Sequence, residues 1–236
     1  MSRGNRFNRA NILQTKIFKL MEQRKQIKGE IKYNITLNEE QKEAKRLILE
    51  NQIVIITGRA GSGKSLVGAI TALDLLFKKQ YKKIIATRAL IEVGRSMGFL
   101  PGDKNEKFNP YMEALLENLY EAYDHLKINE MVKDEQIKAF PVQFVRGKTV
   151  NEILIVEEAQ NLSKEEMLAI LTRLGKEGKI IINGDQAQKD THESFTGLDY
   201  AIELSKKIIE IKHIKLKENH RSDLVGRILD YEYTNK

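Results

Sequence analysis

The run from Gly58 to Ser65, GRAGSGKS, restricts what this chain can fold into more than any other stretch. It fits G-x-x-x-x-G-K-[ST], with a β-branched run, QIVIIT at 52–57, before it and an apolar stretch of helical length from about Leu66 to Phe77 behind it. Strand, glycine-rich turn and helix in that order make a phosphate-binding loop. Glycines let the backbone turn its N–H groups inward around a polyphosphate, and the helix presents its positive end to the same anion. Gly58, Arg59, Ala60, Gly61, Ser62 and Gly63 form the cradle. Lys64 is expected to reach the β- and γ-phosphates, and the Ser65 hydroxyl to ligate Mg²⁺.

A lone strand needs partners, and the rest of the chain supplies them. KKIIAT at 82–87, EILIV at 152–156 and KIIIN at 179–183 read as short strands without polar alternation, the pattern of strands buried on both faces. Helices are expected from Asn38 to Glu50, from Tyr111 to Leu126 after a long loop to Pro110, and from Lys164 to Gly175. Asn38 and Gln41 are spaced as a capping box. Strands alternating with helices predict an α/β fold with a mostly parallel sheet sandwiched between helices. Three prolines and no low-complexity linker place residues 35–236 in one core, preceded by an extension at 1–34.

Two adjacent carboxylates, Glu157 and Glu158, stand where the strand ILIV stops. A phosphate-loop enzyme needs a carboxylate at the end of a neighbouring strand to hold the hydrated metal, and another group to orient the attacking water. Strand alternation aims adjacent residues to opposite sides, but at a strand's carboxyl end the chain turns and both can face the crevice. Glu157 is the candidate for the metal and Glu158 for the catalytic base.

Composition excludes several chemistries. Without cysteine there are no disulfides, thiolate metal sites or thiol nucleophiles, and four scattered histidines offer no helical pair of ligands. No run of 18 apolar residues occurs, so no membrane-spanning helix is expected, and the absence of a secretory signal pattern points to the cytoplasm. The net charge of +7 is concentrated at the start: residues 1–32 hold nine Lys/Arg against Glu22 and Glu30. A basic head on a balanced body suggests contact with a polyanion. Its Leu13, Ile17, Leu20 and Met21 fall at helical spacing, so part of it is expected to be an amphipathic helix.

From these blocks a resemblance emerges. GRAGSGKS, GFLPGDKNEKFNPY at 98–111, FVRGKT at 144–149, EEAQN at 157–161, LTRLG at 171–175 and GDQAQKD at 184–190 together resemble the PhoH family of P-loop ATPases, across roughly residues 38–232. The resemblance implies a RecA-like core of the superfamily-1 helicase type that hydrolyses Mg-ATP. Carried over, Glu157 and Glu158 stand at the family's Asp-Glu pair, with Glu157 one methylene longer than the usual residue. Gln41 stands where a glutamine reads adenine. Gly184, Asp185 and Gln188 match G-D-x-x-Q, whose glutamine senses the γ-phosphate. Arg173 and Arg221 resemble arginines that could serve as a finger, although the order His220-Arg221 inverts the family's and leaves that alignment open by one residue. Arg146 and Lys148 point to nucleic acid, to a neighbouring subunit or to a structural role.

The leading expectation is therefore an ATPase that couples hydrolysis to binding or remodelling nucleic acid, RNA more than DNA. One core encloses only one side of a nucleotide, which predicts assembly into a homo-oligomer, and the resemblance makes this a hexameric ring. The alternative is a nucleotide-dependent RNA-binding switch without helicase activity. A small-molecule kinase would need a lid and acceptor pocket, and the γ-phosphate-sensing glutamine argues against it.

Overall fold

The computed structural model describes residues 33–88, 109–145, 147–218, 224–225, 227 and 231. The basic extension at 1–32, most of the block at 98–111, Arg146 and Arg221 lie outside the described residues. Helix α1 (Glu39–Glu50) opens the core with the expected capping box: the Asn38 side chain accepts from Gln41 N, and Gln41 Oε1 accepts from Asn38 N. Strand β1 (Ile53–Gly58) leads through the phosphate loop into α2 (Lys64–Phe77). Then come β2 (Ile84–Arg88), α3 (Asn109–Ala122), α4 (His125–Lys133), β3 (Ile137–Ala139) and β4 (Ile153–Glu157). The last elements are α5 (Lys164–Leu171), β5 (Lys179–Gly184), α6 (Gly197–Lys207) and β6 (Ile211–Leu216).

Among the described residues the strands form one six-stranded sheet in the order β3-β2-β4-β5-β1-β6, and every pairing is parallel. Alternation along each central strand feeds two cores. Val54, Ile56, Ile153, Ile155 and Ile181 face the side covered by α1 to α4, against Ile48, Leu73, Leu119 and Met131. Ile53, Ile55, Leu154, Val156, Ile180 and Ile182 face α5 and α6, against Met167, Ile170, Leu198 and Ala201. Burying each such side chain contributes about 1.5–3 kcal/mol, so the central strands are held chiefly by apolar packing on both faces.

Three readings change. The helix expected over 111–126 is two: α3 ends at Ala122, and the Asp124 side chain, accepting from Lys127 N, starts α4. The helix expected to Gly175 stops at Leu171, because Val150 N donates to the Arg173 carbonyl and Gly175 N to the Val150 carbonyl. The carboxylate strand is not the neighbour of β1, since β5 runs between β1 and β4. That gap of one strand leaves room for a β5 side chain to act between loop and carboxylates.

Sequence reading also passed over β3, α6 and β6. The last, IKHIKL, lies at a sheet edge with His213 and Lys215 on its exposed positions, which protects an unpaired edge but dilutes the strand signal. Lys179, at the start of β5, is buried and donates to the carbonyls of Ile48 and Asn51 at the end of α1. A cation at a helix C-terminus suits the dipole, yet desolvation lowers this ammonium to about 8. No helix among the described residues is long and apolar enough to cross a membrane.

Candidate nucleotide site

The carboxyl ends of β1, β5 and β4 meet the amino end of α2. At Gly63 the backbone is left-handed, φ 81°, and a Cβ there would strike the Gln41 amide, so both conformation and space demand glycine. The loop is cross-braced: Ser62 N donates to the Arg59 carbonyl at 3.1 Å, and Lys64 Nζ donates to the carbonyls of Gly58 at 2.6 Å and Arg59 at 3.1 Å. Lys64 thus lies folded over the cradle, its charge held where an incoming polyphosphate would draw it.

Glu157 answers for its longer stem by contact. Its carboxylate accepts from Ser65 Oγ at 2.7 Å and from Asn183 Nδ2 at 2.9 Å. Desolvation pushes its carboxyl above the usual range; the Ser65 and Asn183 hydrogen bonds and Lys64 pull it back, and Glu158 adds to the rise. Asn183 comes from β5, filling the gap between β1 and β4, and its Oδ1 is buried without a hydrogen-bond partner. Among the described residues no three His, Cys, Asp or Glu converge. The Ser65–Glu157 oxygen pair beside an unsatisfied acceptor fits a hydrated hard divalent cation that takes its remaining ligands from phosphate and water.

Glu158 reaches the same crevice by a backbone device. Its φ of 51° and ψ of 44° lie in the left-handed region, which costs a non-glycine residue about 1–2 kcal/mol. Strain of that size at a cavity wall is the mark of a placed side chain. Glu157 and Glu158 line one cavity with Lys64, Ser65, Asp185 and Gln188. A contiguous space of about 690 Å³, within the range of small-molecule sites, continues past Lys64 to Gln41, Ile35 and Thr36, with Asn118 of α3 on its far wall.

Gln160 holds these parts together. Only 1% exposed, it donates through Nε2 to Glu158 Oε2 at 2.5 Å and to the Gln188 carbonyl at 3.2 Å, and accepts at Oε1 from Asp185 N at 3.0 Å. Asp185 in turn accepts from Ala187 N and shapes the turn that carries Gln188. Gly184 lets the turn approach closely, since a Cβ would meet Leu198 at 2.7 Å and Gln160 at 3.0 Å. Gln41 is buried and donates to the Ser62 carbonyl at 3.3 Å, so it touches the loop as well as capping α1.

Most residues singled out from sequence therefore converge: Gln41, Gly58 to Ser65, Glu157, Glu158, Asp185 and Gln188. Arg173 does not. Its carbonyl accepts from Val150 N, ahead of β4, at the end of the sheet opposite the crevice. It cannot act on a nucleotide held by its own chain, so a finger role would need a neighbouring copy. Arg221 lies outside the described residues. Gln160 and Asn183 were missed as site residues. The first sits within EEAQN, and the second ends the strand KIIIN, where a polar residue closing an apolar run was the available signal.

A strand, phosphate loop and helix in a parallel sheet, with paired carboxylates one strand removed, define a P-loop NTPase core of the RecA-like kind. Residues 35–232 match the PhoH family, described as PhoH-like protein, and the chain belongs to that family. A PhoH-like protein of Mycobacterium tuberculosis (strain ATCC 25618 / H37Rv) is 37% identical over 184 residues, 76% of this chain and 52% of the relative. One from Bacillus subtilis (strain 168) is 35% identical over 194 residues, covering 80% and 61%. The chain thus spans roughly half to three fifths of the length of these relatives. A solved Pif1 helicase from Candida albicans is similar with a TM-score of 0.45 and 19% identity, covering 83% of this chain and 43% of that one.

Proposed function

We propose that this chain is a Mg-dependent ATPase that couples hydrolysis to binding or remodelling nucleic acid, RNA in preference to DNA, in the cytosol. The observation that carries the ATPase reading is the convergence of Ser65 Oγ and the Glu157 carboxylate, 2.7 Å apart, beside Lys64 and the turned-in Glu158. Ser65 and Glu157 would hold Mg²⁺, which would supply neutralisation of the charge on the nucleotide's phosphates. Lys64 leaves the loop carbonyls for the same phosphates, and Gln41 and the cavity beside it receive the base. Glu158 accepts a proton from a water that attacks the γ-phosphorus, so that ADP leaves and inorganic phosphate forms. In this reading Gln188, on the wall of the same cavity, is the γ-phosphate sensor, and Gln160, bonded to both the Gln188 carbonyl and Glu158, links the two.

The placement of Arg173 supports a homo-oligomer, a hexameric ring in its fullest form, in which a neighbour presents an arginine to each site. The basic stretch at 1–32 supports the nucleic-acid partner. Replacing Lys64 with Ala tests the whole reading: ATP binding measured by calorimetry should fall below detection, whereas wild-type affinity would show that the loop is not the nucleotide site.

A further inference from the structure

A second concave surface lies away from the nucleotide crevice, on the face of the sheet shared with α5 and α6. Its floor is Ile85 of β2 and Leu154 of β4, and its wall is Phe144 with Val145, at the end of the short 3₁₀ turn Val142–Phe144. Phe144 is 58% exposed, an unusual display for a ring of that size. Phe140 lies deeper, with Lys148 Nζ 5.9 Å from its ring centre. Lys83, Lys138 and Lys148 stand on the lining, from three separate segments, with Glu152 as its carboxylate. Lys138 also pairs with Glu135 at 2.7 Å. With both acids counted the rim keeps a positive excess.

We propose that this groove binds single-stranded nucleic acid, with a base stacked on Phe144 and the lysines on flanking phosphates. The claim rests on the nucleic-acid reading above and gives it a location. The cavity, about 190 Å³, is smaller than an enclosed small-molecule site and suits one flat ring at a time as a strand passes over it. Aromatic rings among flexible cationic side chains are how sequence-tolerant strand binding is built, because every base has a stacking face and every linkage a charge. An acidic peptide would satisfy the lysines but brings no flat ring to the apolar floor. Leu154 lies three residues before Glu157 on β4, so strand and nucleotide would occupy the two ends of one element.

The test uses the full chain and a short fluorescent single strand, uridine RNA and its DNA counterpart, titrated across a range of salt. Phe144→Ala should weaken binding roughly tenfold, in line with the removal of one stacked base, and Phe144→Tyr should restore it. Lys148→Glu should lower affinity and flatten the salt dependence by about 0.7 in the log–log slope, because one phosphate fewer is neutralised. Melting temperature and ATP affinity should stay near wild-type values, since Phe144 is mostly exposed and neither residue lines the nucleotide crevice. If wild-type chain binds the strand and the groove variants bind it equally well, the location is wrong while the nucleic-acid reading stands. If wild-type chain binds no strand, both fail. A drop in native mass of Phe144→Ala at unchanged strand affinity would also overturn the proposal, identifying the groove as an interface between copies.

Discussion

Replacing Gln160 with Leu should damage stability and turnover together, because this one buried amide serves three partners. Leucine fills a similar volume but offers no polar atom. The Asp185 N–H then has no acceptor in a buried position, costing about 1–3 kcal/mol, and the half-buried Gln188 carbonyl adds about 1 kcal/mol. The bond to Glu158 is charge-assisted, but that carboxylate borders the cavity and can rehydrate, so its removal is discounted in stability. The total is about 2–4 kcal/mol, or a melting temperature lower by roughly 4–16 °C for a chain of this size. Kinetically, Glu158 is deprived of the hydrogen bond that fixes its carboxylate, so kcat should fall at least about tenfold, within what a positioned base supplies. KM should move little, since the loop and Lys64 are untouched. Thermal melts and steady-state ATPase assays on the same preparation read both effects. A variant that melts within a degree of wild type and keeps its kcat would refute the bridging role.

Two other perturbations follow from the same geometry. Gly63→Ala should cost about 1–2 kcal/mol for the left-handed backbone alone and displace Gln41, weakening nucleotide affinity; unchanged affinity in a binding titration would contradict the close approach of α1 to the loop. His213 contacts the Thr57 hydroxyl at 2.8 Å, and desolvation with the charges of Lys206 and Lys215 lowers its pKa in the fold. The unfolded chain therefore takes up a proton first as pH falls below about 6.5, and stability drops from there toward the lowered folded pKa. His213→Gln should flatten that part of the stability–pH curve relative to wild type, and coincident curves would remove His213 from the balance.

Local and repetitive signals were legible in the sequence. The phosphate loop could be read because backbone geometry there needs glycine at fixed spacing, and the central strands because burial on both faces leaves runs such as KIIIN and EILIV. The capping box at Asn38 and Gln41 is a pairing within one turn. What stayed hidden depends on residues far apart in the chain. Strand order decides that Asn183 stands between Ser65 and Glu157, and no spacing within KIIIN says so. Gln160 becomes a hub only because its turn meets the one at Asp185. Nothing within KIIIN says that Lys179 closes the end of α1. The left-handed turn at Glu158 was invisible too, since nothing in the residue type announces it, although the crevice-facing pair it creates is what the strand end suggested.

The central claim is that Glu158 activates water on a nucleotide held by the loop and by Glu157, and Glu158→Gln separates holding from hydrolysis. Binding of Mg-ATP and turnover should be measured on this variant beside wild type. The account predicts Mg-ATP affinity near wild type with turnover lowered by about 10²-fold or more. Turnover at the wild-type rate would contradict it and place the base elsewhere in the crevice.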